Sequence, residues 1–263
     1  MSLLKVSNLG KSFGGVKAVD GISFELAAGE LLALIGPNGA GKSTTFNMVN
    51  GQLRADAGAI TLDGQTLLGR APRDIWRLGV SRTFQIAETF LSLTVAENVQ
   101  MALLSRDRKV YSFFTRAADY KRDEALALLA QVSMQLQADR PCSALAYGDV
   151  KRVELAIAMA NSPKLLLMDE PTAGMAPQER HDLMALTKQL VTDRGMAVLF
   201  TEHSMDVVFA YADRMIVLAR GRLIAAGKPL EVRDDPQVQA VYFGTGKTFE
   251  KAPEKPAVLK ASA

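Results

Sequence analysis

The chain has 263 residues, enough for one large α/β domain or two modest ones, and its 48% hydrophobic and 22% charged residues are ordinary for a globular protein. Its net charge of +3 comes from dispersed Lys and Arg, with no basic stripe interleaved with aromatics, which argues against a nucleic-acid partner. A single cysteine, Cys142, and two histidines, His181 and His203, exclude an intrachain disulfide and a Cys- or His-rich metal cluster.

Cys142 is expected to be a small buried thiol rather than a reactive one. The first residues lack a basic segment followed by an apolar core, and no run approaches the ~20 apolar residues that span a bilayer. The expectation is a chain kept in the cytosol, reaching a membrane only through a partner.

Residues 3–7 and 22–26 read as strands, with Gly14 and Gly15 in the loop between them. Residues 31–35 form an apolar run that predicts a buried strand, and it leads into Gly36-Pro37-Asn38-Gly39-Ala40-Gly41-Lys42-Ser43-Thr44. That is the pattern G-x-x-x-x-G-K-[ST]. Its glycines let consecutive backbone N–H groups point inward at a phosphate. Lys42 is expected to place a cation on the β- and γ-phosphates of a nucleotide, and the Ser43 hydroxyl to ligate Mg²⁺. Residues 42–49 continue as a helix, so strand, loop and helix N-terminus together predict an anion site.

Residues 59–62 read as a strand running into an Asp63-Gly64 turn, and residues 80–85 as another strand. The early segments predict an antiparallel β layer beside the strand at 31–35. From about 94 to 134 apolar residues recur at helical spacing, which predicts an inserted helical subdomain. Its aromatic cluster, Val110-Tyr111-Ser112-Phe113-Phe114, is read as subdomain core.

Continuous apolar runs return at 165–168, 197–200 and 215–218, separated by helices. That alternation predicts a parallel sheet covered on both faces. Arg220-Gly221-Arg222 reads as a tight turn. The Lys-, Pro- and Ala-rich end, 246–263, is expected to be a flexible tail.

The run at 165–168 ends in Asp169-Glu170. Ligands of open parallel sheets gather at the carboxyl ends of strands. Asp169 is therefore expected near the loop's Mg²⁺, and Glu170 where it can polarise a water in line with a γ-phosphate. Alone, an acidic pair could be a solvated strand end. After a phosphate-binding loop in the same chain it points to nucleotide hydrolysis.

Between loop and acidic pair lies Leu145-Ala146-Tyr147-Gly148-Asp149, and the order continues through Asp169-Glu170 to Thr201-Glu202-His203. In that order of motifs the chain resembles the ATP-binding cassette family over nearly its whole length. The resemblance implies an α/β P-loop NTPase fold, with a RecA-like parallel sheet core at about 1–86 and 155–245, an antiparallel β subdomain, and a helical subdomain at about 87–154. It implies ATP hydrolysis with Mg²⁺. Phe13 resembles the aromatic that stacks on adenine. Gln85 resembles the glutamine that contacts Mg²⁺ and senses the γ-phosphate, and His203 the switch histidine that contacts that phosphate. Leu145, Ala146, Tyr147, Gly148 and Asp149 resemble the signature that caps the ATP held by a second cassette, so the resemblance implies a homodimer or a heterodimer with a paralogue. It also implies two membrane permeases, with an external solute-binding protein acting indirectly, and a place on the cytoplasmic face of the membrane.

The segment Leu145-Ala146-Tyr147-Gly148-Asp149 departs from the family's common signature L-S-G-G-Q, and the segment after Glu170 departs from the family pattern too. Ala146 stands where a serine is usual, and Ala176 where the dimer-contacting loop usually carries Asp. Leu-Ala-Tyr-Gly, the Arg82-Thr83-Phe84-Gln85 segment and Val241-Tyr242-Phe243-Gly244 are similar to the ATPases of branched-chain and hydrophobic amino-acid importers, whose relatives serve urea and amides. An exporter ATPase of the lipopolysaccharide-extracting kind is the alternative reading. The segment 85–145 is too short for the coiled coil of a chromosome-organising ATPase. One P-loop excludes a tandem cassette, and a guanine-reading Asn-Lys-x-Asp is absent from the sequence.

Overall fold

The computed structural model of the chain describes residues 2–83, 89–109 and 119–243. The polypeptide opens with a hairpin of β1 (Ser2–Phe13) and β2 (Val16–Ala27), turned at Gly14-Gly15. It passes through β3 (Leu31–Ile35) and helix α1 (Lys42–Val49) to β4 (Ala57–Leu62) and β5 (Gln65–Thr66). β4 pairs antiparallel with β1, giving a four-stranded sheet ordered β2-β1-β4-β5, the expected antiparallel layer.

Helix α2 (Pro72–Arg77) then leads to β6 (Val80–Thr83). The strand expected at 80–85 is described as far as Thr83; Gln85 lies outside the described residues, as do the aromatic cluster at 110–114 and the tail at 246–263. The helical insert carries α3 (Val95–Arg106), α4 (Arg122–Gln131) and α5 (Tyr147–Met159). Helix α5 runs unbroken past residue 154, so the covalent path from insert to core is a continuous helix. After it come β7 (Leu165–Asp169), α6 (Pro177–Arg194), β8 (Ala197–Thr201), α7 (Met205–Tyr211), β9 (Arg214–Ala219), β10 (Arg222–Gly227), α8 (Pro229–Arg233) and α9 (Pro236–Phe243).

Among the described residues the second sheet has six strands ordered β10-β9-β3-β8-β7-β6, all parallel except the edge strand β10. Its central strands are buried end to end because both faces are covered. The two-residue period divides their side chains between two cores. Leu31, Ala33, Ile35, Leu166, Met168, Val198 and Phe200 pack with the insert and α6. Leu32, Leu34, Leu165, Leu167 and Leu199 pack with Phe46 of α1 and with the antiparallel sheet. The register pairs Asp169 with Thr201 and Thr83 with Met168, so β6, β7 and β8 end on one edge, beside the end of β3.

The insert begins at a well-made helix start. The Glu97 backbone N–H donates to Thr94 Oγ1 (3.2 Å) and the Thr94 N–H donates to Glu97 Oε2 (2.8 Å), a reciprocal cap. Buried Asn98 then fastens the preceding loop: it accepts from the Phe90 N–H (2.8 Å) and donates to the Phe90 carbonyl (3.1 Å) and to the sulfur of Cys142 (3.2 Å). Cys142 is buried, as expected of it.

A nucleotide site at the carboxyl edge of the sheet

Residues 36–41 join the end of β3 to α1, whose first turn carries Lys42, Ser43 and Thr44. Two glycines of this loop are obligatory. Gly36 has φ 152°, and a Cβ there would stand 2.3 Å from the Leu218 carbonyl oxygen; Gly41 has φ 104°, and a Cβ would stand 2.5 Å from the Ala18 carbonyl oxygen. The loop is thus wedged between β2 and β9. The Gly221 N–H donates to the Ala40 carbonyl (3.1 Å) from the turn expected at 220–222. Tyr242, on α9, brings its hydroxyl to the backbone of Gly36, and burial pushes that phenol's pKa up to about 12 against the opposing hydrogen bond.

Gly36, Ala40, Gly41 and Lys42 are buried, while Pro37, Asn38, Gly39 and Ser43 are exposed, so the loop turns a polar rim outward. Helix α1 has Gly41 as its cap, with no side-chain cap bond. Its first-turn N–H groups are left for an anion. Lys42 Nζ donates to the carbonyls of Gly36 (2.7 Å) and Pro37 (3.2 Å), lying inside the loop it serves. Burial lowers the pKa of this ammonium, and the nearby carboxylates of Glu170 and Asp169 oppose that shift.

Asp169 ends β7 with both oxygens held. Thr201 Oγ1 donates to Oδ1 (2.8 Å) and Arg82 Nη2 donates to Oδ2 (3.0 Å). Arg82 Nη1 donates also to Asn47 (2.7 Å) of α1 and to Gln52 (2.8 Å), and its guanidinium lies 5.9 Å from the Phe46 ring centre. One buried arginine therefore ties the helix after the loop to the acidic strand end. Replacing Arg82 by Met is expected to lower the stability of the nucleotide-free protein by about 3 kcal/mol, because it leaves a mostly buried carboxylate without its ion partner. The readout is the urea midpoint at unchanged slope. A wild-type midpoint would remove Arg82 as the tie.

Glu170 follows with φ 47°, a left-handed conformation that costs a non-glycine residue about 1–2 kcal/mol. Its N–H donates to Thr201 Oγ1 (3.0 Å), which helps hold that backbone. The strained turn aims the carboxylate at His203, whose Nε2 donates to Glu170 Oε1 at 2.9 Å. An ionised carboxylate can only accept, which fixes the direction of that bond. Lys42, Asp169, Glu170 and His203 are thus gathered at one edge of the sheet.

The loop's geometry suits a nucleotide triphosphate: a buried cation, backbone donors and two glycines too crowded for any side chain. Among the described residues no group of three His, Cys, Asp or Glu side chains could hold a metal. Ser43 is exposed at the start of α1 and Asp169 ends β7; a hydroxyl and a carboxylate oxygen are the kind of donor that Mg²⁺ takes, one or two from protein together with substrate phosphates and water.

The segment 145–149 sits elsewhere. Ala146 caps α5 without a side-chain bond, consistent with its missing hydroxyl. A Cβ on Gly148 would stand 3.4 Å from Glu179 Oε1 and 3.5 Å from Met175 Cε, and the Tyr147 ring faces Gly174. Its neighbours are therefore the loop after Glu170 and the start of α6 of the same chain. Tyr147 is 44% exposed. Phe13 is no core aromatic: it ends β1, is 50% exposed, and has Lys11 Nζ 5.5 Å from its ring centre.

Three residues beside the assigned set shape this site without having been singled out. Arg82 was visible only as part of Arg-Thr-Phe-Gln. Thr201 and Glu202 stand beside His203, and an acid just after an apolar run is the only signal of them in the sequence.

The sequence pattern of the ABC transporter family matches residues 19–173. This chain belongs to the ABC transporter family. The cassette also matches, over 222–248, the pattern described as branched-chain amino acid ATP-binding cassette transporter. It is 39% identical over 250 residues to the high-affinity branched-chain amino acid transport ATP-binding protein LivG of Salmonella typhimurium, covering 92% of this chain and 98% of that one. The BraF protein of Pseudomonas aeruginosa, described in the same words, is 36% identical over 252 residues, again 92% and 98%. A crystal structure of another ABC transporter cassette, in its ADP conformation, superposes with a TM-score of 0.83 at 32% identity over 93% of this chain and 99% of that one. The P-loop NTPase fold expected from the sequence is the fold of the cassette.

Proposed function

We propose that this cassette is the ATP-hydrolysing, energy-coupling subunit of an importer for branched-chain or other hydrophobic amino acids. The observation that carries the reading is end-to-end likeness to LivG and BraF, joined to a site whose parts stand in hydrolytic relation to one another.

The loop from Gly36 through Pro37, Asn38, Gly39, Ala40, Gly41, Lys42, Ser43 and Thr44 cradles the phosphates, and Phe13 offers its exposed face to the adenine. Ser43, Asp169 and Gln85 would hold Mg²⁺, which supplies charge neutralisation at the β- and γ-phosphates. Glu170 accepts a proton from water as the water oxygen bonds to the γ-phosphorus and the bond to the β–γ bridging oxygen breaks. His203 leaves Glu170 for the γ-phosphate when ATP is in place.

The site is completed by the signature, Leu145, Ala146, Tyr147, Gly148 and Asp149, of a second cassette, either a second copy or a paralogue. Backbone N–H groups at the start of α5 then face the partner's γ-phosphate. Closure of the pair drives two permeases, fed by an external solute-binding protein, at the cytoplasmic face of the membrane. No described helix is long and apolar enough to cross a membrane.

Phe90 and Leu91 are 59% and 58% exposed, yet their loop is pinned by Asn98 and by the Ser143 N–H donating to the Leu91 carbonyl. Rigid exposed apolar side chains beside the insert suit a permease's cytoplasmic helix. In cells lacking the wild-type gene, Phe90→Asp is expected to cut uptake of radiolabelled leucine by about 30-fold, the effect of losing one interface anchor of about 2 kcal/mol, and to abolish co-purification with the permeases. Wild-type uptake would remove this docking surface. A gene deletion that leaves branched-chain amino acid uptake unchanged would overturn the importer reading.

A further inference from the structure

Glu202 lies between Thr201 and His203 and is 4% exposed. Its Oε1 accepts from the Thr172 N–H (3.0 Å) and from Thr172 Oγ1 (2.6 Å). Its Oε2 accepts from the backbone N–H of His203 (3.1 Å) and of Ser204 (3.3 Å). Among the described residues it makes no ion pair; its charge is met by hydrogen-bond donors alone, which is how a carboxylate persists inside a protein without a cation.

Those donors come from the two segments that carry the reactive side chains. Thr172 is 1% exposed and stands two residues after Glu170, and His203 is the second residue after β8. The circuit closes through the side chains, because His203 Nε2 donates to Glu170 Oε1. A fastening is needed here, since Glu170 occupies a costly left-handed conformation that the surrounding structure must hold. Thr201 secures the Glu170 backbone from one side. Glu202 secures Thr172, two residues beyond Glu170, and the backbone of His203 and Ser204 at once.

We propose that Glu202 is a positioning residue for hydrolysis: its buried carboxylate locks the backbone of the turn carrying Glu170 to the backbone of the turn carrying His203, so that base and switch histidine are presented to the nucleotide from one fixed backbone geometry. Thr172 lies in the loop that also meets the signature segment through Gly174 and Met175. The inference rests on the proposed roles of Glu170 and His203.

The test uses the purified full-length chain. Glu202→Gln keeps the shape and one acceptor oxygen but turns an amide N–H₂ toward donors. It is expected to lower kcat by about 30–100-fold, as a displacement near 1 Å does, with KM for ATP and equilibrium ATP binding within about twofold of wild type. Thr172→Val removes a single hydroxyl donor, leaves folding less at risk, and is expected to lower kcat by about 5-fold, the worth of one hydrogen bond. In a His203→Ala background measured by single turnover, Glu202→Gln is expected to add nothing, because the geometry it protects is already gone. Wild-type kcat in Glu202→Gln or in Thr172→Val, or full additivity with His203→Ala, would overturn the proposal. If Glu170→Gln and His203→Ala themselves hydrolyse normally, the proposed site assignment fails instead.

Discussion

Replacing Glu170 by Gln is expected to leave ATP binding intact, to cut hydrolysis by about 10²–10⁴-fold, the usual worth of a general base, and to hold two chains together around unhydrolysed ATP. The substitution disturbs little else. A glutamine carbonyl oxygen can still accept from His203 Nε2, which stands 2.9 Å from Glu170 Oε1. The backbone bond from residue 170 to Thr201 Oγ1 is untouched, and so is the left-handed φ it supports. What is removed is the negative charge, one of the two carboxylate charges near Lys42, and with it the basicity, since an amide cannot take a proton from the attacking water. Phosphate release measures the loss of turnover, and light scattering of the chain with and without ATP measures the trapped pair. Wild-type hydrolysis would remove Glu170 as the base. Loss of hydrolysis together with loss of ATP binding would mean that the site had collapsed and the charge had been structural.

What the sequence made legible is what it encodes contiguously. The residues from Gly36 to Thr44 form one contiguous loop and helix start, so spacing alone announces an anion cradle. The runs at 165–168 and 197–200 declare buried parallel strands because nothing polar interrupts them. The opening hairpin was harder to bound. Each of its strands spans twelve residues, more than twice what the clean runs at 3–7 and 22–26 suggested. The pairing carries register shifts between Val6 and Leu9 and again around Lys11, which reset the two-residue alternation. Other features depend on separations that no local window spans. Arg82 meets Asp169 across 87 positions, Glu202 meets Thr172 across 30, and the wedging of Gly36 against Leu218 needs the whole sheet to be assembled. Phe13 shows the converse. Its identity left open a core aromatic or a stacking platform, and exposure at the end of a hairpin decides against the core.

Lys42→Ala is the substitution expected to act on binding itself, with ATP affinity falling by about 30–5000-fold, the range that follows from truncating one member of a desolvated charge pair at 2–5 kcal/mol. Lys42 is 8% exposed and its ammonium lies against the carbonyls of Gly36 and Pro37. In the nucleotide-free chain this is a mixed bargain: burial disfavours the charge, while the carbonyls and the carboxylates of Glu170 and Asp169 favour it. Alanine loses both sides of that balance, so the nucleotide-free protein is expected to melt within a few degrees of wild type. A triphosphate changes the balance, because its negative charge sits where only Lys42 brings a full positive charge from within the loop. The glycine cradle remains in the variant, and its backbone donors alone give weak binding. Titration calorimetry with ATP reads the affinity, and the rise in melting temperature on adding ATP reads the same loss independently, since a ligand stabilises only in proportion to its occupancy of the folded state. A variant that binds ATP as wild type does would show that the backbone donors suffice and that Lys42 acts only after binding. A variant that melts far below wild type without nucleotide would show that the ammonium's bonds to Gly36 and Pro37 hold the loop itself.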